Sequence, residues 1–155
     1  MKKFWLALAV SMFFFVKVDI LIWQRIFETN ELWELGMGVY HTGWRYALYG
    51  FMALGALFLW PDVRRAVQFP VYLWILSVSG LPDILYYWVD GRPLPEVLPW
   101  LEHLPTILKP ITSANLVVSA VGWITMLMVF DIAYAYIDKG VSRKRKQLSL
   151  FLDFR

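Results

Sequence analysis

Ser77-Val78-Ser79-Gly80-Leu81-Pro82-Asp83-Ile84-Leu85-Tyr86-Tyr87-Trp88-Val89-Asp90-Gly91-Arg92-Pro93-Leu94-Pro95 is the stretch that decides how the chain is read. A glycine, a proline and a carboxylate interrupt an otherwise apolar segment, which then passes through three aromatics into a proline-rich loop. Read as the outer half of a membrane helix over about 69–89, it puts Asp83 below the membrane surface.

The rest of the composition asks for that membrane. The 155 residues suffice for one domain and are 59% hydrophobic, above the roughly 45–50% of soluble globular chains. Mean hydropathy is +0.53. A soluble chain this short cannot bury so much apolar surface, so lipid must cover part of it. Nine Trp, eight Tyr and eleven Phe suit the bilayer interfaces, where amphipathic rings collect. The absence of cysteine excludes disulfides, thiolate chemistry and cysteine-held metals.

Four helices follow from the apolar runs. The first, about 4–27, starts like a signal peptide but continues well past that length with no small-x-small site, which predicts a retained signal anchor. The second covers about 44–60, the third about 69–89 and the fourth about 113–137. The expected fold is therefore all-α: an integral membrane four-helix bundle occupying 1–141 as a single domain, followed by a basic cytoplasmic tail over 142–155.

Charge sets the orientation. Lys2, Lys3, Arg64, Arg65, Lys139, Arg143, Lys144, Arg145, Lys146 and Arg155 lie on one side; only Arg25, Arg45, Arg92 and Lys109 lie on the other. The positive-inside rule then places both termini and the 61–68 loop in the cytoplasm, most simply at the cell's inner membrane. A nucleic-acid partner is excluded, because the cationic residues flank apolar spans and do not line a soluble face. The basic run of the tail predicts contact with anionic headgroups, each residue worth about 1 kcal/mol near the surface.

The outer loops differ in kind. Residues 28–35 carry three carboxylates among apolar neighbours and predict a short interfacial turn with Asn30 as N-cap. Residues 90–110 interleave five prolines with leucines and Trp100, which forbids a long helix and predicts a lid of short turns pressed into the outer headgroup region.

Lys17, Asp19, Asp83 and Asp131 are ionisable residues inside predicted spans, where a charge costs roughly 2.5–3.5 kcal/mol and needs a partner or water. At about 1.5 Å per residue, Lys17 lies roughly 14 Å, Asp19 roughly 12 Å and Asp83 roughly 9 Å below the outer ends of their helices. Lys17 and Asp19 point about 200° apart, so each needs a different neighbour. Lys17 is expected to pair with Asp83, and Arg45 to answer Asp19. Pro82 is expected to free a backbone carbonyl beside Asp83. Asp131 belongs to the inner half of its helix, where snorkelling toward Lys139 or Arg64–Arg65 explains it.

Other chemistry finds no support. His41 and His103 both fall in outer loops and read as polar contacts, so no metal site is expected. No phosphate-binding loop, nucleophile elbow or zinc helix is present. Ser77, Ser79, Ser113 and Ser119 read as packing groups bonded back to their own backbone. The run from Gly43 to Trp60 resembles in texture the aromatic-rich second helix of tryptophan-rich sensory proteins. Those have five helices, and the chain is not assigned to them; the likeness implies only a flat hydrophobic ligand among Trp and Tyr rings.

The expected function is to bind or carry a small or lipidic ligand in an outward-facing polar and aromatic cavity. Asp83 and Lys17 form its core, Asp19 and Arg45 support it, and Tyr86, Tyr87, Trp88 and Trp100 wall it. A second reading is an accessory subunit docked on a larger membrane complex. A third is an intramembrane lipid-modifying enzyme with Asp83 as acid or base, which lacks a second catalytic group. Neither catalytic residues nor a cofactor can be named, and an enzyme is the less favoured class. Membrane lipids and a homo-oligomer or larger membrane complex are the expected partners.

Overall fold

The computed structural model describes the backbone of residues 2–27 and 33–152 and the side chains of 2–22 and 38–138. The described residues form five α-helices and no strand: α1 (Lys2–Phe27), α2 (Trp33–Phe58), α3 (Val63–Ser77), α4 (Leu81–Asp90) and α5 (Ser113–Leu152), with a 3-10 turn at Pro99–Leu101. The predicted turn at 28–35 and its Asn30 cap lie mostly outside the described residues, as do the side chains of the basic tail.

Two helices are long and apolar enough to cross a membrane, Lys2–Ile22 and Ser113–Asp138; α3 and α4 together make a third if counted as one bent span. The chain is thus a helical protein with two or three candidate membrane spans. Its α2 does not qualify on composition, because His41, Arg45, the glycines and the aromatics dilute its aliphatic residues. It also begins at Trp33, well before the expected residue 44. Gly36, Gly38 and Gly43 suggest a loop in isolation, yet membrane helices accept glycine more readily than soluble ones.

The chain divides into two compact units, Met1–Val121 and Gly122–Arg155. In the first, α1 packs on α2, α3 and α4, and α2 packs on α3. The packing face of α1 is a stripe of Phe4, Leu8, Met12, Phe15, Val16, Asp19 and Ile20, all buried. Spacings of three and four residues align them on one side of the helix. Leu6, Val10, Phe14 and Leu21 stand exposed on the other faces, as expected of a helix that contacts lipid.

Against this stripe lie Tyr40, Trp44, Leu48 and Phe51 of α2. Trp44 meets Phe15 edge-on with ring centres 5.2 Å apart, and Phe51 meets the same ring at 6.3 Å. Further along, Phe4 contacts Tyr72 of α3 at 5.4 Å and Phe69 at 6.1 Å. Asp62 caps α3 by accepting the Arg65 amide at 3.1 Å. Where α2 crosses α3, a Cβ on Gly55 would sit 2.0 Å from Cε1 of Phe69. The crossing therefore requires glycine.

The expected third helix is two helices. Between α3 and α4 the axis turns by 72°, and the turn is made at Gly80, whose φ is +83°. A Cβ there would meet Cδ1 of Leu116 at 2.2 Å, so conformation and space both demand glycine. Ser77 and Ser79 donate back to the carbonyls of Trp74 and Leu76 at 2.7 and 2.8 Å, closing the end of α3 as anticipated for these serines. Pro82 does not free a carbonyl within a helix. It sits in the first turn of α4, where its missing N–H has no partner to lose.

The second unit continues α5 as a helix to Leu152. In it Asp131 is buried and engaged with a partner.

Candidate functional site

The loop that follows α4 is folded around a core of its own. Leu98, Leu101, Ile107, Ile111 and Leu116 are buried together, with Ile84, Tyr87, Leu94 and Leu104 packed against them. Val97 and Thr112 form an isolated antiparallel bridge. Its flanks are fastened by the Leu98 amide donating to Ile111 at 3.3 Å and the Ser113 amide donating to Glu96 at 3.0 Å. Ser119 of α5 accepts the Leu108 amide at 2.9 Å and donates to its own Asn115 carbonyl at 2.7 Å. Asn115 Nδ2 donates to Pro110 at 2.8 Å. Thr106 Oγ1 donates to the Val78 carbonyl in the α3–α4 break. The predicted lid of short turns is therefore a compact cap tied to three helices. A shallow depression of about 340 Å³ lies within it, lined by Val97, Pro99, Glu102, Lys109, Pro110, Ile111 and Thr112, away from Asp83.

Beside this cap three helices bring polar side chains together. Asp19 comes from the packed stripe of α1 and is 9% exposed. Tyr40 of α2 shares a side-chain hydrogen bond with it; since an ionised carboxylate only accepts, the phenol is the donor. Asp83, half-buried in the first turn of α4, lies within electrostatic range of both Asp19 and Tyr40. Trp100 reaches down from the cap and donates its indole N–H to Asp83 Oδ1 at 3.2 Å. Asp83 also benefits from the positive end of the α4 dipole. Asp19 has no such help: its Oδ1 is buried with no hydrogen-bond partner among the described residues.

Tyr86 extends the group and feels the charge of Asp19. Its hydroxyl accepts from Arg92 at 3.0 Å, and its ring meets Tyr87 edge-on at 5.4 Å. The Arg92 guanidinium lies over both rings, at 5.6 and 6.0 Å, and pairs with Asp90. That pairing raises the already high pKa of Arg92, so the cation at the rim is permanent.

Neither a family model, nor a curated protein, nor a solved structure matches the chain. What the site can do must come from its own chemistry.

Of the eight residues singled out in the sequence, Asp19, Asp83, Tyr86, Tyr87 and Trp100 gather in this region. Lys17, Arg45 and Trp88 are exposed, and none of them has a hydrogen bond or ion pair to the group among the described residues. The expected Lys17–Asp83 pair is not formed. The helical geometry that separates Lys17 from Asp19 puts Asp19 on the packed stripe and Lys17 outside it, so Asp83 feels the carboxylate of α1 and not its lysine. Arg45, five residues beyond Tyr40, is likewise exposed, and Asp19 takes the Tyr40 hydroxyl in its place. Tyr40 was missed because it precedes the assumed start of the second helix. Its spacing of four from Trp44 and eight from Leu48 was the available signal. The rise counted from Asp83 to Val89 runs along α4, which is turned 72° from α3, so it does not measure depth along the axis of α3.

The group comprises two carboxylates, two phenols and an indole, with aromatic faces on the α4 and cap side. No cluster of three or more His, Asp or Glu suited to a metal occurs among the described residues.

Proposed function

We propose that the protein is a multi-pass membrane protein that binds or carries a small or lipidic ligand at the Asp19–Tyr40–Asp83 group. In this reading α1, α2, the bent α3–α4 pair and α5 form a four-helix membrane bundle with both termini cytoplasmic. The cap then lies on the outer side and covers the site. The asymmetry of ten basic residues against four supports this orientation. One observation carries the ligand reading: Asp19, packed in a helical core within electrostatic range of Asp83, keeps a buried oxygen unbonded. Such an arrangement costs stability, since a buried unsatisfied charged group carries a penalty of about 1–3 kcal/mol or more. A purely structural network would pair its charges.

Native mass spectrometry of the protein purified in mild detergent tests the reading. The natural protein is expected to retain a small molecule or lipid that the D19N/D83N double variant loses while keeping its oligomeric state. A ligand-free natural protein, or equal retention by the variant, overturns it. Stoichiometric co-purification with other subunits and no small molecule would support the accessory-subunit alternative instead. Topology is tested separately. The chain has no cysteine, so single cysteines at Glu96 and Gln68 should label with an impermeant maleimide from the outer and the cytoplasmic side respectively. The reverse pattern defeats the orientation.

A further inference from the structure

We propose that Lys17 and Arg45 take up the phosphates of outer-leaflet phospholipids and draw the bilayer surface inward along α1 and α2. The proposal rests on the membrane orientation given above and is independent of any ligand at Asp19. Three observations lead there. The first is that the fold answers neither cation. Lys17 lies inside the candidate span Lys2–Ile22, where a charge needs a partner or water. Lys17 and Arg45 are both exposed, and neither makes a hydrogen bond or ion pair among the described residues.

The second is height. Ile22 lies 3.4 Å from a Cβ placed on Gly43, and Phe15 meets the rings of Trp44 and Phe51. These contacts run α1 and α2 antiparallel and put Lys17 and Arg45 within about one helical turn of the same level. They also fix how much apolar chain lies on the cytoplasmic side of that level. Thirteen residue steps separate Phe4 from Lys17, and thirteen separate Arg45 from Phe58, about 20 Å in each helix. The neighbouring α3, 15 residues up to its break, is about 22 Å long. Leu6, Val10 and Phe14 of α1, Leu54 and Leu57 of α2 and Val71 of α3 stand exposed within these lengths. A hydrocarbon core is about 30 Å thick, so this apolar belt is short by about 10 Å. Tilting the helices shortens its projection further.

The third is the position of the cations along their helices. Because α1 continues to Phe27 and α2 begins at Trp33, helix extends past Lys17 and Arg45 by about 15 and 18 Å respectively. Neither side chain therefore stands at a helix end, the usual place from which a basic stem reaches the interface. A span too short for its bilayer thins it locally, and thinning brings headgroup phosphates down to the level of these two residues. The guanidinium meets a phosphate with a fork of parallel donors and the ammonium meets it as a point charge. The occupant is thus the phosphodiester of a membrane phospholipid, and an uncharged glycolipid lacks the group.

Depth measurement by spin labelling tests the proposal. The chain has no cysteine, so a nitroxide can be placed singly on L21C or L54C, both exposed positions. Leu21 lies one turn beyond Lys17, and Leu54 lies within the apolar belt. Collision of each label with oxygen and with an aqueous nickel chelate reports its depth in dioleoylphosphatidylglycerol bilayers. The Leu21 label is expected at headgroup level and the Leu54 label in hydrocarbon. In K17Q/R45Q the Leu21 label should move about 10 Å deeper, into hydrocarbon, as the bilayer regains its thickness. An unchanged Leu54 label shows that this variant is folded and inserted, and K17R/R45K should keep the shallow Leu21 reading. Bilayers of digalactosyldiacylglycerol, which carry no phosphate, should give the deep reading with the natural side chains in place. A Leu21 label already in hydrocarbon in phosphatidylglycerol overturns the proposal, because the two cations would then reach the interface by their stems alone. A shallow reading that persists in K17Q/R45Q, or in the galactolipid, overturns it as well, since phosphate would not be what holds the surface down. Collision of both labels with the nickel chelate would remove the membrane reading itself.

Discussion

The cap over 91–112 and the acidic group beside it are close neighbours built on opposite terms. In the cap, polar groups find partners within the fold: Thr106 with Val78, Leu108 with Ser119, Asn115 with Pro110, Ser113 with Glu96. Five buried apolar side chains then hold the turns together. The acidic group has the reverse balance, with Asp19 and Asp83 within electrostatic range of each other and one Asp19 oxygen unbonded. A loop with this many prolines has little backbone freedom to lose on ordering, so a small core suffices to fix it. A buried carboxylate with an unbonded oxygen has no such economy. The contrast separates a region whose polar groups serve the fold from one whose polar groups work against it.

Substitutions should therefore change stability in opposite directions in the two regions. The largest loss is expected at Gly80, where alanine meets both an unfavourable φ and the Leu116 methyl. G80A should cost about 3–4 kcal/mol, from left-handed strain and overpacking together, measured by reversible unfolding in mixed micelles. A loss under 1 kcal/mol would mean that the α3–α4 bend and the cap move independently. L98A removes a side chain at the centre of the cap and should cost about 2–4 kcal/mol. Hydrogen exchange should show the effect concentrated at the amides of 98–113; uniform acceleration through α1 and α2 would count against a separate core. For D19N the sign reverses. Replacing the carboxylate by an amide of the same shape should stabilise the ligand-free protein by about 1 kcal/mol, because it removes repulsion from Asp83 while the Tyr40 bond is kept. Destabilisation would mean that Asp19 is a structural anchor after all. Last, R92A at the exposed rim should leave the melting temperature unchanged, since an exposed ion pair is solvated and screened.

Much of the fold was legible before any coordinates. Continuous apolar runs located α1 and α5 closely, because a membrane span needs a minimum length of hydrocarbon-compatible chain and little else. The proline-rich cap was legible as short turns, because proline restricts φ and removes a donor wherever it falls. The cap's internal core was not, since the pairing of Leu98 with Ile111 and Leu116 depends on the path of the loop. The start of α2 was obscured by glycines, of which Gly43 packs against α1: a Cβ there would lie 3.4 Å from Ile22.

The sequence alone determined that this is an apolar helical chain, that three carboxylates and one lysine interrupt its spans, and that Lys17 and Asp19 diverge, because the helical repeat is fixed by the backbone. It could not say which of the two turns inward. In α1 both faces are apolar, so periodicity carries no information about the packed side. Only the stripe from Phe4 to Ile20, fixed by α2, α3 and α4, chose Asp19. The same holds for the segment from Ser77 to Pro95. Its glycine and proline announced a break, but the size of the turn, 72°, and the packing of Leu116 against Gly80 emerge only in the fold.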